Sequence, residues 1–166
     1  MNKKEENLKK RLYGDAICTW VIAAFVVLIG LSKVMAAISG FMNGGVMKGS
    51  LEESPALALG DGVRELLMAA AVVLLALILT NIRKEGRPFS QKNVNMLRVM
   101  AILLIICAVS KIIVSSFSGF FDPQATFQLT FGLTDLVYGV VGAIIGIISE
   151  IFYYGYGLQE ELDSIA

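Results

Sequence analysis

The sequence predicts an all-α integral membrane protein, a four-helix bundle in which every helix spans the bilayer and both chain ends face the cytoplasm. Three observations predict it. Four apolar blocks are each long enough to cross a hydrocarbon layer, which takes about 20 residues of helix. The composition is too apolar for a soluble domain: the 166 residues are 56% hydrophobic and 17% charged, with a mean hydropathy of +0.72, where soluble domains carry about 25% charged residues. The dense basic clusters, finally, all fall on one side once four crossings are assumed.

The first block covers roughly residues 15–38 and contains CTWVIAAFVVLIGL. It follows a basic start, as a signal peptide would, but its apolar run is too long and no small-residue cleavage site follows in a suitable place, so it reads as a retained span. The second block covers roughly 62–82, and Ser54 before Pro55 is expected to start a helical turn leading into it. Gly86 is placed to end that helix in a left-handed cap, Pro88 follows, and Ser90 is a fitting N-cap for the third block, roughly 94–117. EGRPFSQKN is therefore expected to be a short ordered turn between antiparallel helices. The alternation of apolar and polar residues from Ala125 to Phe131 fits either a short external strand or an irregular interfacial segment. The fourth block covers roughly 133–156, and 157–166 form an acidic tail that continues it as helix, with Leu158, Leu162 and Ile165 on one side and Glu160, Glu161 and Asp163 on the other. The chain reads as one domain.

Orientation rests on Lys and Arg. Lys3, Lys4, Lys9, Lys10 and Arg11 precede span one, and Arg83, Lys84, Arg87 and Lys92 connect spans two and three, with Arg98 just inside span three. The connection between spans one and two holds Lys48 beside Glu52, Glu53 and Asp61, and residues 118–135 hold no basic residue. Aromatic residues mark both boundaries: Phe120, Phe121, Phe127 and Phe131 outside, Tyr13, Tyr153, Tyr154 and Tyr156 inside.

Composition also argues against catalysis. There is no histidine, the commonest general base and metal ligand. Cys18 and Cys107 each lie inside an apolar block and read as small buried hydrophobes. No nucleotide-binding loop or acid pair has a recognisable catalytic spacing. The expectation is a protein that is not an enzyme, with no cofactor and no metal site; the zero net charge gives no drive towards direct nucleic-acid binding.

The polar residues inside the spans are the candidates for function, since charge at membrane depth must find a partner, a proton or water. On span four, Asp135, Gly139, Gly142, Gly146, Glu150 and Tyr153 recur every three or four residues and share a face. Gly142 and Gly146 make a GxxxG pair, expected to pack span four into its own bundle, with a homo-oligomer contact as the alternative. Glu150 and Arg98 lie at similar depth and are expected to pair; a proton-coupled carboxylate is the alternative. Lys33 and Lys111 lie in the outer half with Glu65 and Asp135, which suggests two ion pairs whose partners the sequence leaves open. Snorkelling lysines or a small-ligand site are the other readings. Glu160, Glu161 and Asp163 either pack on the basic turn or offer a docking surface.

Two segments carry a family likeness. EGRPFSQKNVNMLR (85–98) and EIFYYGYGLQEELDSI (150–165) resemble, in order and spacing, the bacterial membrane proteins of domain of unknown function 2975, a likeness that covers nearly the whole chain. The matching positions are Gly86, Pro88, Phe89, Asn93, Leu97 and Arg98, then Glu150, Phe152, Gly155, Leu158, Gln159, Glu161 and Asp163. The tail departs slightly, ending Asp-Ser-Ile where relatives often read Asp-Leu-Thr-Ile. The family has no established activity. Members often form half of a two-gene unit whose other half is a small helix-turn-helix regulator of the Cro/CI type. The resemblance thus implies a bacterial inner-membrane protein partnered with a cytoplasmic transcription factor, a non-enzymatic regulator or sensor. The alternative is a small oligomeric transporter or channel working through Glu150 or through Lys33 and Lys111.

Overall fold

The computed structural model describes residues 3–42, 55–121 and 132–165. They form four helices in sequence order: α1 (Lys3–Met42), α2 (Pro55–Glu85), α3 (Gln91–Phe121) and α4 (Leu133–Ile165). All four are long and apolar enough to cross a membrane, and the chain is a multi-pass, all-α membrane protein. The expected strand at 125–131 lies outside the described residues, as do the side chains of Phe120, Phe121 and Lys111.

Each helix contains its expected apolar block and most run past it into polar sequence. Once a helix is nucleated, each further residue adds a hydrogen bond at little cost, so the bilayer edge does not end it. α1 starts twelve residues before the block at 15–38, and α4 runs on through the acidic tail to Ile165. Chain punctuation sets the real ends. α2 begins at Pro55, whose fixed φ suits a first helical position. It ends at Gly86, which takes φ 67° and donates its N–H to the Ile82 carbonyl at 2.9 Å, a left-handed cap that other residues adopt only with strain. Ser90 caps α3: its Oγ accepts from the Asn93 N–H at 3.3 Å and its carbonyl from the Val94 N–H at 3.0 Å.

Packing is serial along the chain: the backbones of α1 and α2, α2 and α3, and α3 and α4 come together. Side chains of α2, α3 and α4 share one core, built on Ala71, Ile78, Leu97, Met100 and Leu104 with Tyr138, Ile145 and Phe152 against it. α1 leans on α2. There the close approach depends on Gly30 and Gly62: a Cβ on Gly62 would sit 2.7 Å from Val34 Cγ2 and 3.0 Å from its backbone N, and one on Gly30 3.0 Å from Leu66. At the α3–α4 seam, a Cβ on Gly142 would lie 3.1 Å from the Ala101 carbonyl, whereas Gly139 and Gly146 leave 3.6 and 3.9 Å. The GxxxG face therefore packs α4 onto α3, and Gly142 is its tight point. Buried residues of α4 follow the heptad Asp135, Gly142, Ser149. The large apolar side chains that remain exposed, Phe25, Leu28, Met35, Ile147 and Ile151 among them, are what a lipid solvent accepts.

Candidate functional site

Polar chemistry is concentrated at the two ends of the bundle. The helices alternate in direction, so residues 3 and 165 and the α2–α3 turn share one end; the α1 C-terminus and the α4 N-terminus share the other.

At the end holding the turn, the two segments that resemble a family meet. Gly86 reverses the chain, and Asn93, fully buried, donates from Nδ2 to the Pro88 carbonyl at 3.0 Å. This clamps the turn onto the first helical turn of α3. Phe89 is thereby aimed at α4. Its ring packs edge-on to Phe152 with centroids 5.1 Å apart, and a Cβ on Gly155 would be 2.8 Å from it. Gly155 is thus the notch that receives Phe89. Two turns further into the bundle, Arg98 Nη2 donates to Glu150 Oε1 at 3.0 Å, and its guanidinium lies 5.1 Å from the Tyr153 ring centroid. The expected pair is formed, yet not in the interior: Glu150 is 64% exposed, on the flank of the heptad line. Beyond the notch, Arg87 reaches Asp163 at 3.6 Å between exposed side chains. Arg83 stacks 4.5 Å above Tyr13 of α1 instead of meeting the tail. Glu150, Tyr153, Tyr154, Tyr156, Gly157, Leu158, Glu160 and Glu161 of α4, with Gln91 of α3, line an open groove of about 550 Å³.

At the opposite end lies a polar cluster that ties all four helices together. Lys33 of α1 donates to Glu65 of α2 at 3.3 Å. Arg64 of α2 holds Asp61, one turn back, at 3.3 Å and Asp135 of α4 at 3.2 Å. Asp135 is 1% exposed and uses both oxygens: Oδ1 takes the Arg64 bond, and Oδ2 accepts from the Gly132 N–H at 2.9 Å, capping α4. The α3 contribution is Cys107, whose Sγ donates to the Arg64 carbonyl at 3.7 Å. Arg64 Nε has no acceptor among the described residues.

The sequence placed Lys33, Glu65 and Asp135 together without assigning partners; the structure joins Lys33 to Glu65 and gives Asp135 to Arg64. Arg64 itself escaped sequence reasoning. Its signal was present: a lone cation between two acids, Asp61 and Glu65, on the approach to an apolar run. The side chain of Lys111 lies outside the described residues. Cys18 is exposed and Cys107 buried, and both are free thiols. Among the described residues, no group of three or more acidic, Cys or His side chains is placed to hold a metal.

Residues 55–165, which are α2 to α4, match the family model described as Protein of unknown function (DUF2975), and the chain belongs to that family. α1 lies outside the matched stretch. No curated protein and no solved structure matches the chain.

Proposed function

We propose that this member of the DUF2975 family is a non-enzymatic regulator of a bacterial inner membrane, holding a cytoplasmic helix-turn-helix protein of the Cro/CI type at the end that carries the α2–α3 turn. One observation carries the reading: the two segments that resemble the family, 52 residues apart at their nearest, from Arg98 to Glu150, form a single surface through Phe89, Phe152 and Gly155. Basic residues crowd that end at Lys3, Lys4, Lys9, Lys10, Arg11, Arg83, Lys84, Arg87 and Lys92, which favours its facing the cytoplasm. Glu160, Glu161 and Asp163 are exposed there, available to a basic partner surface. The transporter alternative draws less support, because Glu150 is paired with Arg98 on the flank of the bundle and Lys33 is paired with Glu65.

The test is the triple change Glu160→Lys, Glu161→Lys, Asp163→Lys in the full chain. The only described ion pair the tail makes is Asp163 with Arg87, both exposed, and such pairs contribute about 1 kcal/mol or less. Membrane abundance should therefore stay near wild type. Recovery of a DNA-binding protein in a detergent pull-down should fall at least tenfold. Unchanged recovery removes the tail from the mechanism; a fall in abundance instead makes the tail a structural brace.

A further inference from the structure

α4 carries an unbroken apolar stripe on the side turned away from the bundle. Ile151 lies about 180° around the helix from Gly142, the tight point against α3. Three pairs fall on the same line: Val140 with Leu158, Ile144 with Leu162, and Ile147 with Ile165. The members of each pair stand about five full turns apart at 3.6 residues per turn, and all of these side chains are exposed. The stripe therefore keeps one direction for about 37 Å of helix.

The stripe crosses the membrane boundary without changing character. Gly155 is level with Phe89 of the α2–α3 turn, and the chain there carries Glu85, Arg87 and Lys92, all exposed. Charges at this density mark the end of hydrocarbon. Residues 156–165 of α4 project beyond that level by about 15 Å at 1.5 Å per residue. Leu162 and Ile165, 69% and 83% exposed, therefore stand in water. α1, at the other edge of the row, is equally open within the bilayer through Phe25, Leu28 and Met35. Where it leaves the bilayer at this same end, its surface turns polar, at Asp15, Arg11 and Lys10. Lipid is enough to cover α1; it is not enough to cover α4.

What covers the stripe must be apolar at both levels and in one line. A soluble protein reaches only the tail, and lipid only the span. We propose that the stripe pairs with the same stripe of a second copy of this chain, the two α4 helices running parallel about a twofold axis along the membrane normal. Parallel pairing brings residues of equal height together, so span meets span and tail meets tail, and the self-complementary contact closes as a dimer. Two rows of helices then meet edge to edge, α4 against α4. The charges agree. Glu160 and Asp163 lie on the bundle side of the tail, where Asp163 meets Arg87. Gln159 and Glu161 flank the stripe on opposite sides, so the twofold brings Gln159 of one copy beside Glu161 of the other, and no like charges face each other across the seam. Water favours apolar contact and lipid does not, so the tail supplies the drive and the span follows. The acidic side and the groove stay open to a regulator, and the pairing depends neither on that reading nor on which side of the membrane the tail faces.

Single cysteines in the full-length chain test it in native membranes, in a Cys18→Ala background that keeps the buried Cys107. A residue on a parallel twofold seam meets its own copy, so Leu162→Cys in the tail and Ile151→Cys in the span should each form a disulfide homodimer on mild oxidation. Each yield should be at least tenfold above its control: Ser164→Cys, exposed on the bundle side of the tail, and Val99→Cys, exposed on α3. Adding Leu162→Asp to Ile151→Cys should lower the dimerised fraction of the chain present severalfold, although the new charge lies outside the bilayer. The inference is overturned if either position cross-links no better than its control, if Leu162→Asp leaves the span disulfide unchanged, or if Leu162→Cys is captured by a different protein. Partner recovery in the pull-down above is read separately from the disulfide, so either reading can fail alone.

Discussion

Arg64 of α2 and Asp135 of α4 meet at 3.2 Å in the charge cluster, with Arg64 Nη2 also 3.3 Å from Asp61 and Asp135 almost completely buried. The pair bridges two helices whose backbones are not neighbours, and α3 closes over it through Cys107. From the third position of α4 Asp135 reaches back to the N–H of Gly132, the residue at the N-cap, and pairs with Arg64, so the start of α4 is fixed to α2 by a single carboxylate.

Removing one member of that pair leaves the other charged and buried. Arg64→Met should destabilise the detergent-solubilised protein by about 3–5 kcal/mol, the cost of breaking a buried pair. Asp135→Asn should cost less than Arg64→Met, because an amide oxygen still accepts from the Gly132 N–H. The double variant Arg64→Met/Asp135→Asn should be milder than Arg64→Met alone. Thermal unfolding followed by circular dichroism checks the order; an additive double variant would show that the two side chains do not share an interaction.

Gly155→Leu should unseat Phe89. The ring is hemmed in by Phe152 and by the clamped turn, so it can move only by shifting the turn. The cost is about 1–3 kcal/mol, as for other overpacked sites. A second change, Phe89→Ala, should recover part of that loss by vacating the notch, which a thermal shift on the single and double variants would register. A Gly155→Leu protein as stable as wild type would mean that the notch is not tight.

Arg98 and Glu150 pair at 3.0 Å with both side chains well exposed. Their coupling should accordingly be modest, about 1 kcal/mol or less, and Arg98→Leu alone should cost more than Glu150→Gln because it also loses the contact with Tyr153. A double-mutant cycle on unfolding reads the coupling directly; a value near zero would place the pair outside the stabilising interactions.

Topology is tested by labelling single cysteines from outside intact cells in a Cys18→Ala background. Substitutions at Asn43 and Gln124 should react, and those at Lys92 and Ser164 should not. Reaction at Lys92→Cys would put the α2–α3 turn on the outer side and reverse the orientation on which the functional proposal depends.

The local signals were legible. Pro55, Gly86 and Ser90 set helix ends because each acts through its own backbone geometry, which depends on neighbours in sequence only. Arg98 and Glu150 were pairable because depth is counted inward from the membrane edge, and α3 starts at the level where Gly155 of α4 meets Phe89 of the turn. Rotation about the helix axis was less legible. The spacing rule put Glu150 on the Gly142 face, while packing turns Ser149 inward and leaves Glu150 on the flank. Arg64 was masked by Asp61 and Glu65, which made its neighbourhood look like an acidic approach to the membrane. Gly30 and Gly62, the tightest contacts of α1 with α2, are isolated glycines on different helices with no shared motif. Their pairing exists only once the register between the helices is fixed.

α1 is attached to the rest of the chain through α2, by the close contact of Gly30 with Leu66 and Gly62 with Val34, by Lys33 with Glu65, and by Tyr13 under Arg83. During synthesis this imposes an order. α1 enters the bilayer before α2, and the neighbour that would recognise it does not yet exist. It must settle without α2, oriented by the basic residues at its start. Only when α2 arrives does it gain the contacts of Gly30 with Leu66 and Gly62 with Val34, and by then the basic start has biased its direction. The helix that packs on α2 alone among the described helices is thus one that settles before its neighbour exists.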